Sequence, residues 1–295
     1  MPYNNSTIKQ SIHIMKKIIV PTDFSYTSKD ALAYAISIAP LLKASVEVVH
    51  IYSGTFSTNT SYPYIMHAGM GRHESLMKDL EDFINFEGEG GVTTKQKVAI
   101  TCKAIGGMTG RELIKLSKDP ATLMIVMGKT GKSVSSNRLF GSIARDVSTT
   151  AHCPVLLVPK EENYTRVKNI LYASDYGDVD QFTLKKAVDF ASLFKAAMHF
   201  VHITENSTDK NYKVIEDKIF NFLFRDKDPD FTFNLVNIKY PNVIGGLNQY
   251  IRENKIDLLI MVSHHRNFIS RLFLKSTTKE MAHYSHVPIL VFHKE

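Results

Sequence analysis

Gly128, Gly131 and Gly141, followed at once by Ser142, form the stretch with the clearest chemical meaning in the chain. Glycines at turns let the backbone approach a ligand closely and permit positive φ. The start of a helix presents free N–H groups and the positive end of a dipole, which suits phosphate. Ser142 is expected to add a hydroxyl at the N-cap. Lys129, Lys132 and Arg138 are expected to add positive charge between the glycines. The stretch is not a Walker A loop, although Gly131-Lys132-Ser133 matches its last three residues. Its first glycine would fall at Val126, inside an apolar strand. A loop that merely carries a C-cap glycine and an N-cap serine is the plainer alternative.

Pro21-Thr22-Asp23 offers a second group, at the end of the apolar run KKIIVP. A carboxylate there can meet ribose hydroxyls, an adenine edge or a metal on phosphates. The alternative for Asp23 is an acid placed at a helix N-terminus.

These residues need a scaffold, and the chain supplies it twice. KKIIVPTDFS at Lys16–Ser25 aligns with KNILYASDYG at Lys168–Gly177, an offset of 168 − 16 = 152. Asp23 meets Asp175, Leu32 meets Leu184, Ala44 meets Ala196 and His50 meets His202. Near the ends, HCPVLLVPK at His152–Lys160 resembles HVPILVFHK at His286–Lys294. Such self-similarity is a tandem duplication, joined through the charged stretch Lys160–Lys168. Each copy alternates continuous apolar strands with helical patterns, which predicts an α/β fold with a parallel, doubly wound sheet. In the first copy the helices are expected at Thr27–Ala44, His73–Glu87, Gly110–Lys118 and Ser142–Thr150. Ser25 or Thr27 caps the first. Ser53–Gly71 reads as a loop rich in Ser, Thr and Tyr that either covers a ligand or is merely mobile; Gly69 and Gly71 would permit a hinge, with plain flexibility the preferred reading. Ligands of such sheets bind beyond the carboxyl ends of the strands, where strand order reverses.

The composition agrees. The chain has 295 residues, 44% apolar and 22% charged, as in globular proteins of about two domains. It contains no run of about 18 apolar residues of the kind that spans a membrane. Residues 1–14 read as a flexible leader, without the apolar core of a secretion signal. Cys102 and Cys153 are too few for a disulfide framework. They are expected to be buried free thiols in a cytoplasmic protein, with a redox pair as the alternative. The net charge of +7 is spread among acids, so nucleic acid is not the expected partner. His264 and His265, and His283 and His286, lack the companions that would complete a zinc site.

PTDFS after the first strand, VVHIY as the second, MG-x2-G-x9-GS after the fourth and CPVLLVP at the end resemble the universal stress protein family, in its tandem two-domain form. The resemblance implies two Rossmann-like domains of the adenine nucleotide alpha hydrolase-like kind, at 15–160 and 167–295, each a five-stranded parallel sheet with helices on both faces. It implies ATP, with Mg2+, in the first domain. Pro21, Thr22 and Asp23 would line the base and ribose, and Ile51 and Met127 the adenine side. Gly128, Gly131, Gly141 and Ser142 would hold the phosphates, with Ile143 following on the helix. It also implies pairing of the copies through Val155–Val158 and Ile289–Phe292, with a further homodimer left open. The second copy departs from the pattern. Ser263, Arg266 and Lys275 stand where the first has glycines, while Ser276 keeps the serine. The second domain is therefore expected not to bind ATP in the family's manner. The resulting expectation is an ATP-binding regulatory protein of stress adaptation, acting on a protein partner. A slow ATPase or self-phosphorylating protein, using Asp23 or Ser142, is the second reading. An interaction module for a protein, lipid or metal is the third.

Overall fold

The computed structural model describes residues 15–53, 62–85, 98–131, 140–160, 166–174, 181–204, 212–225, 229–263 and 286–293. The expectations placed on the leader, on Lys132, Arg138, Asp175, His264, His265, Arg266, Lys275, Ser276 and His283 lie outside them. The first half runs β1 (Lys17–Pro21), α1 (Tyr26–Leu42), β2 (Ser45–Tyr52), α2 (Tyr62–Ile84), β3 (Ile100–Gly106), α3 (Thr109–Leu116), β4 (Thr122–Gly128), α4 (Ser142–Thr150) and β5 (Val155–Val158). The second runs β6 (Asn169–Ser174), α5 (Gln181–Phe194), β7 (Ala197–Thr204), α6 (Tyr212–Leu223), β8 (Phe233–Lys239), α7 (Val243–Glu253), β9 (Leu258–Ser263) and β10 (Ile289–His293).

The strands form one 10-stranded sheet in the order β3-β2-β1-β4-β5-β10-β9-β6-β7-β8. Within each half the pairing is parallel. The halves meet where β5 and β10 pair antiparallel, with Leu156 opposite Leu290 and Leu157 opposite Ile289. The expected pairing of Val155–Val158 with Ile289–Phe292 is therefore present within one chain.

Successive strand residues point to opposite faces, so an unbroken apolar strand feeds two cores at once. Ile18 and Val20 join Val46, Val48 and Leu156 in one core, under α1, α2, α5 and α6. Ile19 joins Val49, Ile125 and Leu157 in the other, under α3, α4 and α7. Both cores continue across the β5–β10 seam.

Helix α1 starts at Ser25, whose side chain accepts a hydrogen bond from the Ser28 N–H, so Ser25 rather than Thr27 is the cap. It ends on Lys43, held left-handed at φ 50°. The repeated position, Lys195, ends α5 at φ 51°. Glycine meets no Cβ penalty in that conformation. Lys43→Gly is expected to raise stability by about 0.5–1 kcal/mol, read as a higher urea midpoint. Unchanged stability would mean that the lysine stem packs well enough to offset the strain.

One expectation is corrected. Helix α2 begins at Tyr62 and runs through Gly69 and Gly71, where a loop was expected. Two isolated glycines cost a helix only about 1 kcal/mol each, which the rest of a 23-residue helix can absorb.

Candidate functional site: a cleft at the reversal of strand order

Chain order reverses between β1 and β4, which lie side by side at the centre of the first half. α1 leaves β1 over one face and α4 follows β4 over the other. A crevice must open beyond the carboxyl ends of these two strands. It holds a cavity of about 160 Å³ that opens to solvent. Pro21, Thr22, Asp23, Ile51, Met127, Gly128, Gly131, Gly141, Ser142 and Ile143, singled out from the sequence, all line it.

The β1 side is held by a short hydrogen-bonded turn. The Thr22 N–H donates to Val49 O at 2.9 Å, continuing the ladder to β2. Thr22 Oγ1 accepts from the Phe24 N–H at 2.9 Å and shares a hydrogen bond with Ser28 Oγ at 2.9 Å. The His50 ring donates from Nδ1 to the Thr22 carbonyl at 2.8 Å. Phe24 sits at φ 62°, an outlying conformation for a bulky residue. Its ring lies 4.6 Å from His50 and 5.7 Å from Phe83, and this packing holds the strained turn. Asp23 Oδ1 accepts from the Ser25 N–H at 3.1 Å. Oδ2 lies against Gly131, where a Cβ would stand 2.7 Å from it.

The β4 side approaches so closely that Gly128 has no room for a side chain. A Cβ there would lie 3.0 Å from both Thr27 Cβ and Thr27 O, and 3.1 Å from Thr130 O. Thr27 Oγ1 donates to Thr130 O at 2.8 Å, locking this loop to the start of α1. The loop closes on itself, because the Gly141 N–H donates to Lys129 O at 2.8 Å. Helix α4 then begins, and its first-turn amides have no partners within the helix. Gly141, not Ser142, is the N-cap, with φ −69° and ψ 155° and no side-chain cap. Its carbonyl accepts the first helical hydrogen bond, from Arg145 N at 3.0 Å. Ser142 is the first helical residue, with its hydroxyl exposed beside those amides.

Lys129 does not supply charge to the crevice. It is only 3% exposed, and its ammonium donates to Val287 O at 2.6 Å in the second half. A buried ammonium must find acceptors, and a carbonyl of the neighbouring half provides one.

The far wall is apolar: Val49, Ile51, Leu113 and Met127, with Ile143 at the rim. Thr109 and Leu113 of α3 were not foreseen as lining residues. Leu113 carries only the signal of a core position on an amphipathic helix. Ser28 and His50 fall in the expected first helix and second strand but were not foreseen as parts of the crevice. The arrangement is an apolar slot beside a polar mouth lined by a carboxylate and a helix N-terminus. It can take a planar heterocycle joined to an anionic group.

Cys153 lies near the end of α4, and burial pushes its thiol up to about 12. Cys102 is half-buried, and burial raises its thiol too. Alkylation at pH 8 is expected to spare Cys153 in the folded chain and reach it in urea, as mass spectrometry would show. Equal labelling in both states would contradict this burial. Among the described residues no three His, Cys, Asp or Glu side chains gather as metal ligands. None of their helices is long and apolar enough to cross a membrane.

Comparison with known proteins accords with this geometry. The profile described as "Universal stress protein family" matches residues 15–159 and 224–293. Universal stress protein MJ0531 of Methanocaldococcus jannaschii is 31% identical over 166 residues, covering 54% of this chain and 91% of that protein. Universal stress protein Slr1230 of Synechocystis is 22% identical, covering 94% of this chain and all of that protein (100%). The crystal structure of a universal stress protein from Archaeoglobus fulgidus shares the fold, with a TM-score of 0.64 at 16% identity, over 95% of this chain and 97% of that one. The duplicated sheet, the glycine loop laid against α1 and the profile match over both halves converge: the chain belongs to the universal stress protein family.

Proposed function

We propose that this protein binds ATP, with Mg2+ on its phosphates, in the crevice of the first half, and that it acts in the cytoplasm as a regulatory protein of stress adaptation. The observation that carries this reading is the close approach of Asp23 Oδ2 to Gly131 in a crevice that the start of α4 also lines. Only a residue without a Cβ leaves the Asp23 carboxylate in place there. Adenine would lie in the slot of Ile51 and Met127. Thr22 and Asp23 would meet the base edge and ribose. The backbone of Gly128, Gly131 and Gly141, with the Ser142 hydroxyl, would surround the phosphates, as a helix N-terminus favours. Mg2+ would offset the charge of the triphosphate.

The domains are taken as 15–160 and 167–295, and the site belongs to the first alone. Photolabelling with 8-azido-ATP tests this placement. Cross-links are expected in peptides that contain His50–Tyr52 or Met127–Gly131, and excess ATP should suppress them. Labelling confined to the second half would overturn the reading.

A further inference from the structure

Two side chains tie the crevice to the other half of the molecule. Lys129 opens the glycine loop, and its carbonyl accepts the Gly141 N–H at 2.8 Å. Its own N–H donates to Val158 O at 2.9 Å, at the end of β5. Its buried ammonium crosses the seam to Val287 O at 2.6 Å, 158 positions away in sequence. The Phe140 ring centroid lies 5.8 Å from the same ammonium, so both ends of the loop flank it. The second tie runs the other way. His293, at the end of β10, donates from Nε2 to Ser148 O in α4 at 2.9 Å. Burial pushes the His293 pKa down, which keeps this ring neutral. The start of α4 is thus fixed through Lys129, and a later turn through His293.

We propose that the second half braces the ligand-binding cradle of the first, with Lys129 and His293 as positioning residues that hold the glycine loop and α4 against Val287 and the end of β10. This rests on the ATP reading of the crevice. Beyond the first half's own contacts, the glycine loop and α4 are each held by a contact that exists only when the halves are docked. By linkage, a ligand that requires this arrangement tightens the seam, and loosening the seam weakens the ligand.

The test pairs calorimetry with amide exchange. Lys129→Met keeps the apolar stem and removes the ammonium. At a temperature where circular dichroism shows it folded, it is expected to bind ATP about tenfold more weakly, about 1.4 kcal/mol. A purely structural role would lower the melting temperature and leave the affinity of the folded protein unchanged. In the unaltered chain, ATP is expected to slow amide exchange in the peptide covering residues 286–293. That measurement needs no variant, so it decides the matter even if Lys129→Met does not fold. ATP binding with protection confined to the first half, or with unchanged affinity in folded Lys129→Met, would overturn this inference and leave the ATP reading standing. Failure of the unaltered chain to bind ATP would overturn both.

Discussion

Gly131→Arg is expected to weaken ATP binding by at least about a hundredfold, equivalent to about 2.7 kcal/mol, while the chain stays folded. The Cβ alone would stand 2.7 Å from Asp23 Oδ2. That atom is the end of a rotatable side chain, so the carboxylate turns away and the fold survives. The rest of the arginine then extends from a residue that lines the crevice. A guanidinium there pairs with the carboxylate and fills the space a ligand needs. Gly131→Ala should displace Asp23 without filling the crevice, and cost about tenfold. Gly128→Ala should act differently. Its added Cβ meets Thr27 Cβ, the Thr27 carbonyl and the Thr130 carbonyl, so backbone must give way. Part of its effect should therefore appear as lost stability. Titration of the three variants beside their urea midpoints separates these outcomes. Full affinity in a folded Gly131→Arg chain would contradict the placement of the ligand.

The second large effect concerns the seam. Leu290 is fully buried (0% exposed), opposite Leu156 across the antiparallel junction and opposite Ile260 on its other side. It belongs to the core that runs beneath α1 and α5. Leu290→Asp places a carboxylate among the apolar side chains of that core. It is expected to destabilise the chain by about 4 kcal/mol or more. Leu290→Met nearly conserves volume and should cost less than about 1.5 kcal/mol. Denaturation in urea checks both, and equal midpoints for the two variants would mean that the junction contributes little to folding.

Much of this architecture was legible in the residues, for reasons that can be named. The offset of 152 survives in the folded elements, since β2 and β7 begin at 45 and 197 and end at 52 and 204. Continuous apolar strands can only lie between two helical layers, and both layers are present. Helix α4 spans the expected residues because a glycine and a serine precede a clear amphipathic pattern. The spacing of the glycines brought their positions to one crevice because βα turns beyond β1 and β4 must meet where strand order reverses.

What escaped notice was set by contacts distant in sequence. Lys129 reads as a loop cation, yet its direction is decided by a carbonyl 158 positions away. Thr109 and Leu113 line the crevice because α3 packs beside α4, which no local signal reports. The cap of α4 was misplaced by one residue, since glycine and serine both suit an N-cap and only the backbone angles separate them.

The central claim is a single nucleotide site in the first half. Isothermal titration of the purified chain with ATP and Mg2+ tests it most directly, because it counts sites as well as measuring affinity. The account predicts one site per chain, lost in Gly131→Arg. Two sites per chain, or no binding at all, would contradict it.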